Sequence, residues 1–548
     1  MPIRSFFFAS IFLSVFLAGC MKSQEADLVI YNARIYSMNE SNAIHQALAV
    51  KDGKILELGP DRQILNKYKS DEKVDAQLKP VYPGFIDAHC HFLAYGLKIN
   101  ELNLANCKSF EEVLNRTVEY SKDFRGNWIE GYGWDQNLWE STSMPIKSDL
   151  DSLFPDTPIV LTRVDGHALL ANKKAIELAG VEMNVQVDGG AVVRSGSEFT
   201  GLFIDNAMSL IYNAIPDKTH EEKIQALLDA QEMCFATGLT SIHEAGLMWD
   251  EVELIDSLQQ SGDLKMKVYA MLSDHPENYG KFLSSGPYKT DRLNVRSFKF
   301  YADGALGSRG ACLLRPYTDV LDSVYYGFLL SDPQYFYDRA EDLAEAGFQM
   351  NTHCIGDSAV NLILDVYESA LNGVNDKRWR IEHAQVVNPS DFEKFGENTI
   401  IPSVQPTHAT SDMHWADERL GEERLDNAYA YLELKKQLGW IPLGTDFPVE
   451  DISPFETFQS AVFRQNEKGE PESGFQMENA LSRIEALKGM TIWAALAGFE
   501  EEEKGSLAKG KAADFIILDR DLISVSQEDV LKTEVVKTFS NGEEVYSR

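Results

Sequence analysis

From Val81 to Val449 the chain alternates short, continuously apolar runs with amphipathic stretches, the pattern of strands buried on both faces between covering helices. The pattern predicts eight core strands: Val81 to Phe92, Thr240 to Ala245, Lys267 to Leu272, Ser297 to Gly304, Phe348 to Ile355, Trp379 to Gln385, Ile401 to Thr407 and Trp440 to Val449. Helices fit the gaps. Glu221 to Thr237 puts Ile224, Leu227, Leu228 and Phe235 on one side and stops at Gly238, and Tyr337 to Ala346 stops at Gly347. Eight strand–helix units predict an α/β protein with a closed (β/α)8 TIM-like barrel.

The stretch from about 109 to about 217 is too long for one connection and contains strand-like Trp128 to Trp134 and Ile159 to Val164. It is predicted to be an insertion after strand one. Outside the barrel, Leu28 to Ile30, Ala47 to Val50 and Ile55 to Leu58 read as short strands with turns, and so do Ala513 to Leu518 and Val535 to Phe539 at the far end. These half-sheets predict one composite β domain, residues 20–80 plus 505–548, closed by both termini around a barrel of residues 81–504.

The first nineteen residues stand apart, with Arg4 ahead of an apolar run from Phe6 to Leu17. At 1.5 Å per residue that run is too short to cross ~30 Å of hydrocarbon, so it is expected to be a signal peptide. Its ending, Leu17-Ala18-Gly19-Cys20, resembles the lipobox of bacterial lipoproteins, and this resemblance implies lipidation of Cys20 and a soluble body tethered at the cell envelope. Cys90, Cys107, Cys234, Cys312 and Cys354 are left at wide spacings that imply no disulfide framework. Alternation turns Cys90 and Cys354 away from their histidine neighbours, behind the barrel wall.

Composition narrows the partners. The 548 residues, 44% apolar and 25% charged, carry 51 basic against 85 acidic side chains, a formal charge of −34. Such a surface repels phosphate backbones and anionic lipids, so nucleic-acid binding is excluded and membrane contact is expected only through the lipid.

The chemistry concentrates at strand ends. Asp87-Ala88-His89-Cys90-His91 sets two imidazoles at i and i+2, on one face of a strand, and Lys299, His353, His383 and Asp446 end other strands at the same depth. Each has an ordinary alternative, a satisfied core histidine for His383 or a helix cap for Asp446, but together they form a ligand set for a divalent metal.

With these pieces, the chain resembles the amidohydrolase superfamily, in the branch similar to the N-substituted formamide deformylases. The resemblance runs from about Asp27 to about Tyr546 and rests on Pro83 to His91, Asp165-Gly166-His167, Lys299 to Gly304, Gly307-Ser308-Arg309, His353 to Asp357, Ile381-Glu382-His383 and Gly444 to Pro448. It implies that His89 and His91 hold a first metal, His353 and His383 a second, with Lys299 bridging as a carbamate and Asp446 binding the first metal weakly while acting as the proton carrier. Zn2+ is the expected ion, with one or two bound. For Lys299 an ion pair with Asp303, at i+4 on the same strand, is the alternative, and the sequence leaves both open. Substrate contacts are expected from His167, Arg309, Asp303 and an apolar wall at Trp134, with Trp139 beside it.

The resulting expectation is a lipid-anchored, metal-dependent hydrolase cleaving an amide or cyclic amide carbon–nitrogen bond of a small molecule with metal-activated water. Hydrolytic deamination is the alternative within the superfamily, and a surface-anchored solute-binding protein the alternative outside it. A homo-oligomer is compatible with the sequence.

Overall fold

The computed structural model describes residues 23–99, 101–124 and 126–548. The expected signal peptide and Cys20 lie outside the described residues.

Seven parallel strands run in sequence order around the barrel: Phe85–Cys90, Leu239–Leu247, Lys267–Ser273, Leu293–Tyr301, Gln349–Cys354, Arg380–His383 and Ile401–Ser403. The eighth position is filled by an extended segment. Leu443 forms a parallel bridge with Val404 on one side, and on the other Ala88 N donates to the Leu443 carbonyl and Asp446 N to the His89 carbonyl. The predicted strand from Trp440 to Val449 is not regular because Pro442 and Pro448 have no N–H to give a ladder, and Asp446 adopts a positive φ of 66°. Barrel strand seven is similarly shorter than expected, since Pro406 opens a helix, Pro406–Asp412, at the position where a missing N–H costs nothing.

The predicted first strand divides at Gly84. Pro80–Pro83 belongs to a six-stranded sheet, paired on one side with Phe515–Leu518 and on the other with Arg34–Tyr36, while Phe85–Cys90 enters the barrel. That sheet thus joins strands from both ends of the chain. A neighbouring four-stranded sheet contains Lys54–Gly59, Ala47–Lys51, Leu28–Tyr31 and Glu72–Asp75. The buried Lys267 ammonium ties the two bodies together, bonding the Asp514 carboxylate and, at 2.7 Å, the Asn541 amide oxygen.

The long segment after barrel strand one forms a six-stranded sheet with its own apolar core, including Leu104, Ile129, Trp134 and Leu161. Its strands Ala168–Ala171 and Glu198–Asp205 pair antiparallel with Ala168 opposite Ile204. The helices follow their caps: His220–Ala236 begins in a Thr219/Glu222 capping box, and Pro333–Ala346 runs from an Asp332 cap to Gly347 in the left-handed region. Cys90 and Cys354 are buried in the apolar layer around the barrel, and the five cysteines among the described residues are free thiols. Among the described residues no helix is long and apolar enough to cross a membrane.

Candidate active site at the mouth of the barrel

The site begins with Asp87 and His89 on the same face of barrel strand one. Asp87 accepts from the Thr445 backbone N–H at 3.0 Å and the Thr445 hydroxyl at 2.7 Å, clamping the eighth segment to strand one. The approach is close enough that a Cβ on Gly444 would lie 2.6 Å from His89 N and 2.9 Å from Asp87 Oδ1. Only glycine lets the chain pass and bring Asp446 over the barrel mouth.

His89 is fully buried, with Nδ1 2.6 Å from Glu382 Oε2. Burial first, and the Lys299 cation second, lower its pKa, so the contact is a neutral imidazole donating from Nδ1 to a carboxylate rather than an ion pair. That hydrogen bond fixes Nε2 toward the mouth, where it lies 3.0 Å from Lys299 Nζ and 3.6 Å from Asp446 Oδ1. His91 follows the strand at the start of helix Phe92–Lys98, with Nε2 3.2 Å from the same oxygen.

His353 and His383 end barrel strands five and six with ring centroids 4.6 Å apart, and His383 is 4.8 Å from the His89 ring. Burial drives the pKa of both well below the usual histidine range, with neighbouring imidazoles adding to it, so both are neutral. His383 Nδ1 is held 2.8 Å from the Gln405 amide oxygen. A donor proton on Nδ1 leaves Nε2 with its lone pair. The backbone of His383, at φ 73°, shares the left-handed conformation of Asp446, a strain found where a site is over-determined by its surroundings.

Asp446 is buried, and burial alone would raise its pKa. With His89 and His383 neutral, the polar contact from His91 Nε2 at 3.2 Å acts the other way and lowers the carboxyl's pKa. Burial lowers the pKa of Lys299, which favours the unprotonated amine that carbamate formation requires.

His89, His383 and Asp446 each offer a ligand atom within 4.8 Å of the others. Among the described residues Asp446 Oδ1 is buried without a geometrically acceptable hydrogen bond. Neutral imidazoles, an ionised carboxylate and an unpartnered buried oxygen form a donor set that fits a divalent cation.

The remaining expected contacts divide. His167 is brought to the cluster, its ring centroid 5.0 Å from that of His353. Asp303 is not a partner of Lys299: the strand ends at Tyr301, which breaks the i+4 relation, and the carboxylate instead accepts from the backbone of Cys312, Ile355 and Gly356 at 2.8 to 3.0 Å. Burial pushes its pKa up to about 7. Arg309 is engaged by Asp319 at 2.7 Å. Trp134 forms no pocket wall; it lies in the insertion core with its indole N–H on the Leu161 carbonyl, and Trp139 beside it bonds the Cys107 carbonyl.

Several residues of the site lie outside the ligand set expected from the sequence. Glu382 stands directly before a recognised histidine yet faces inward to a second one. Gln405 and His408 come from the strand-seven end, with His408 Nε2 3.6 Å from Asp446 Oδ2. The fragment Gln405-Pro406-Thr407-His408 at a predicted strand end could have revealed both, had strand seven been read to stop before Pro406.

The amidohydrolase family model matches residues 72–546. Among curated proteins, the chain is 31% identical over 544 residues to the protein LONG AFTER FAR-RED 3 of Arabidopsis thaliana, covering 95% of this chain and 92% of that one. It is 24% identical over 558 residues to an N-substituted formamide deformylase of Arthrobacter pascens, covering 96% and 99%. Among solved structures, an uncharacterized metal-dependent hydrolase from Pyrococcus horikoshii aligns with a TM-score of 0.75 and 28% identity over 91% of this chain and 99% of that one.

Proposed function

The chain belongs to the amidohydrolase family, and on that premise we propose that it is a metal-dependent hydrolase of carbon–nitrogen bonds in small amides or cyclic amides. The observation that carries this reading is the gathering of His89, His383 and Asp446 within ligand distance, with His91, Lys299 and His353 around them. His89 and His91 would hold one divalent ion, His353 and His383 a second, with Lys299 between them as a carbamate. When bound, such an ion supplies Lewis acidity, lowering the pKa of a water toward about 7 and polarising a carbonyl.

The protein's own residues do the rest. Asp446, ionised and set against His89 and His91, takes a proton from the attacking water and returns it to the departing nitrogen. Proton transfer by a positioned group contributes about 10²–10⁴-fold. Glu382 and Gln405 keep the imidazole lone pairs aimed at the centre.

The test is a panel of N-formyl and N-acyl amines and cyclic amides, assayed before and after chelation with product analysis. Turnover is expected to vanish on chelation and return with Zn2+, releasing an amine. Release of ammonia instead would establish the deaminase, and tight retention of unreacted amides by metal-loaded protein would establish the solute-binding protein.

The lipobox-like segment supports a tether at the cell envelope. Cys20→Ser is expected to move the protein into the soluble fraction, and a variant that stays fully in the membrane fraction would remove the tether from the proposal.

A further inference from the structure

A cavity of about 30 Å³ lies beside the barrel mouth, between the helix Pro406–Asp412 after barrel strand seven and the helix Pro454–Phe463 after the eighth segment. One side chain joins it to the catalytic cluster. His408 Nε2 stands 3.6 Å from Asp446 Oδ2 and 3.9 Å from Glu450 Oε1, and Glu450 forms part of the cavity wall. A molecule whose amide nitrogen is served by Asp446 therefore has this cavity one imidazole away.

The wall offers lone pairs, because its protons are spent on the protein. Ser411 Oγ donates to Glu450 Oε1 at 2.6 Å, Thr410 Oγ1 to the Thr407 carbonyl at 3.0 Å and Ser460 Oγ to the Gln465 carbonyl at 3.2 Å. Gln459 gives its amide nitrogen to the Asn466 carbonyl at 2.6 Å. Thr407, only 5% exposed, lines the same cavity, and among the described residues its Oγ1 has no hydrogen-bond partner. Buried polar groups in folded proteins are paired, so this hydroxyl is one that a bound ligand would satisfy.

Charge points the same way. Arg163, Arg309 and Arg419 are each occupied by aspartates. By contrast, no lysine or arginine among the described residues comes within ion-pair distance of Glu450 or Glu456, and the charges that these two sense are other carboxylates, Asp412 and Asp451 foremost. Burial lifts the pKa of Glu450 well above the usual carboxylate range and that of Glu456 to about 7, so a cation between them is what holds both ionised.

We propose that this cavity is a subsite for a protonated amine, and that the enzyme acts on amides whose leaving amine carries a second, cationic nitrogen, as in a monoacylated diamine. This deepens the hydrolase reading given above and rests on it. An ammonium group has three N–H donors and no acceptor, which matches a wall of carboxylate and hydroxyl oxygens, whereas a neutral alkyl end leaves those oxygens unpaired. Glu450 and Glu456 set specificity and take no part in bond breaking.

The test compares N-acetyl-1,4-diaminobutane with its uncharged counterpart N-butylacetamide on the metal-loaded full chain. The charged amide is expected to be favoured by about tenfold or more in kcat/KM, mainly through KM, and Glu450→Gln or Glu456→Gln to remove about tenfold of that preference. Glu467, exposed at the cavity rim, is already paired with Lys468 at 3.5 Å, so Glu467→Gln should keep the preference, which separates local recognition from the general negative field. The second readout needs no turnover. Propylammonium chloride should bind the wild type in calorimetry where sodium chloride and 1-propanol do not, and should bind about tenfold more weakly to each of the Glu450 and Glu456 variants. A wild-type protein that cleaves no amide would refute the hydrolase reading and leave propylammonium binding to judge the cavity. Equal kcat/KM for the two amides in an active enzyme would overturn the inference. So would propylammonium affinity that is absent from the wild type or unchanged in both variants, or sodium bound as tightly as propylammonium.

Discussion

Lys299→Ala is expected to yield a folded protein with little bound metal and no detectable turnover. The ammonium is buried, its Nζ lies 3.0 Å from His89 Nε2, and no carboxylate of the structure forms a close ion pair with it among the described residues. A charge in that position is costly unless paired, and conversion to a carbamate replaces a buried cation with an anion among imidazoles. Acetate or propionate added to the variant should restore part of both metal content and rate by placing an oxygen anion in the vacated space. Asp446→Asn separates the second role: the side chain keeps its size and one oxygen, so metal should largely remain, but the amide cannot carry the proton and turnover should fall by about 10²-fold or more. Elemental analysis alongside single-turnover rates decides both. Full metal in Lys299→Ala would eliminate the bridging carbamate, and near-normal rates in Asp446→Asn would move the proton carrier elsewhere.

Glu382→Gln is expected to injure stability and metal affinity together. The carboxylate is buried between His89 Nδ1 at 2.6 Å and Arg380 Nη1 at 3.7 Å, and Arg380, itself fully buried, also bonds the carbonyls of Ala88 and Ala497 and the His243 ring. Removing the charge leaves the guanidinium without a counter-ion in the barrel interior, at a cost of about 3 kcal/mol. It also frees the His89 ring, and loss of such an orienting partner typically lowers metal affinity about 10–100-fold. Denaturant midpoints and competitive zinc titration read the two effects separately. Unaltered zinc affinity would show that His89 is positioned without Glu382.

The barrel was legible in the sequence because each strand is a compact apolar run with a ligand-type residue at its end. Asp446 was found by its motif although its strand was not there, since Pro442, Gly444 and Pro448 convert the expected ladder into an irregular crossing. Burial of His89 was legible from the apolar run before it. Its partner Glu382 was not, because the contact joins residues 293 positions apart and no local pattern encodes it. The same holds for Asp205 and the His167 ring that it meets at 2.6 Å. Trp134 failed for the opposite reason: an aromatic in a strand of the insertion satisfies its own sheet's core before it can serve the barrel mouth. The alternative ion pair between Lys299 and Asp303 failed through a boundary, since ending the strand at Tyr301 changes which way the fourth residue faces.

The clamp between Asp87 and Thr445 also fixes an order of events during synthesis. These residues are 358 positions apart, and the strand feeding into Phe85–Cys90 pairs with Phe515–Leu518 near the other end of the chain. While the ribosome is still making the second half, strand one has a free edge and His89 has neither Lys299 nor Glu382 opposite it. Contacts of such long range close late and slow folding. The metal-binding pocket is therefore a product of the finished chain, and an ion offered to the nascent polypeptide finds His89 and His91 alone.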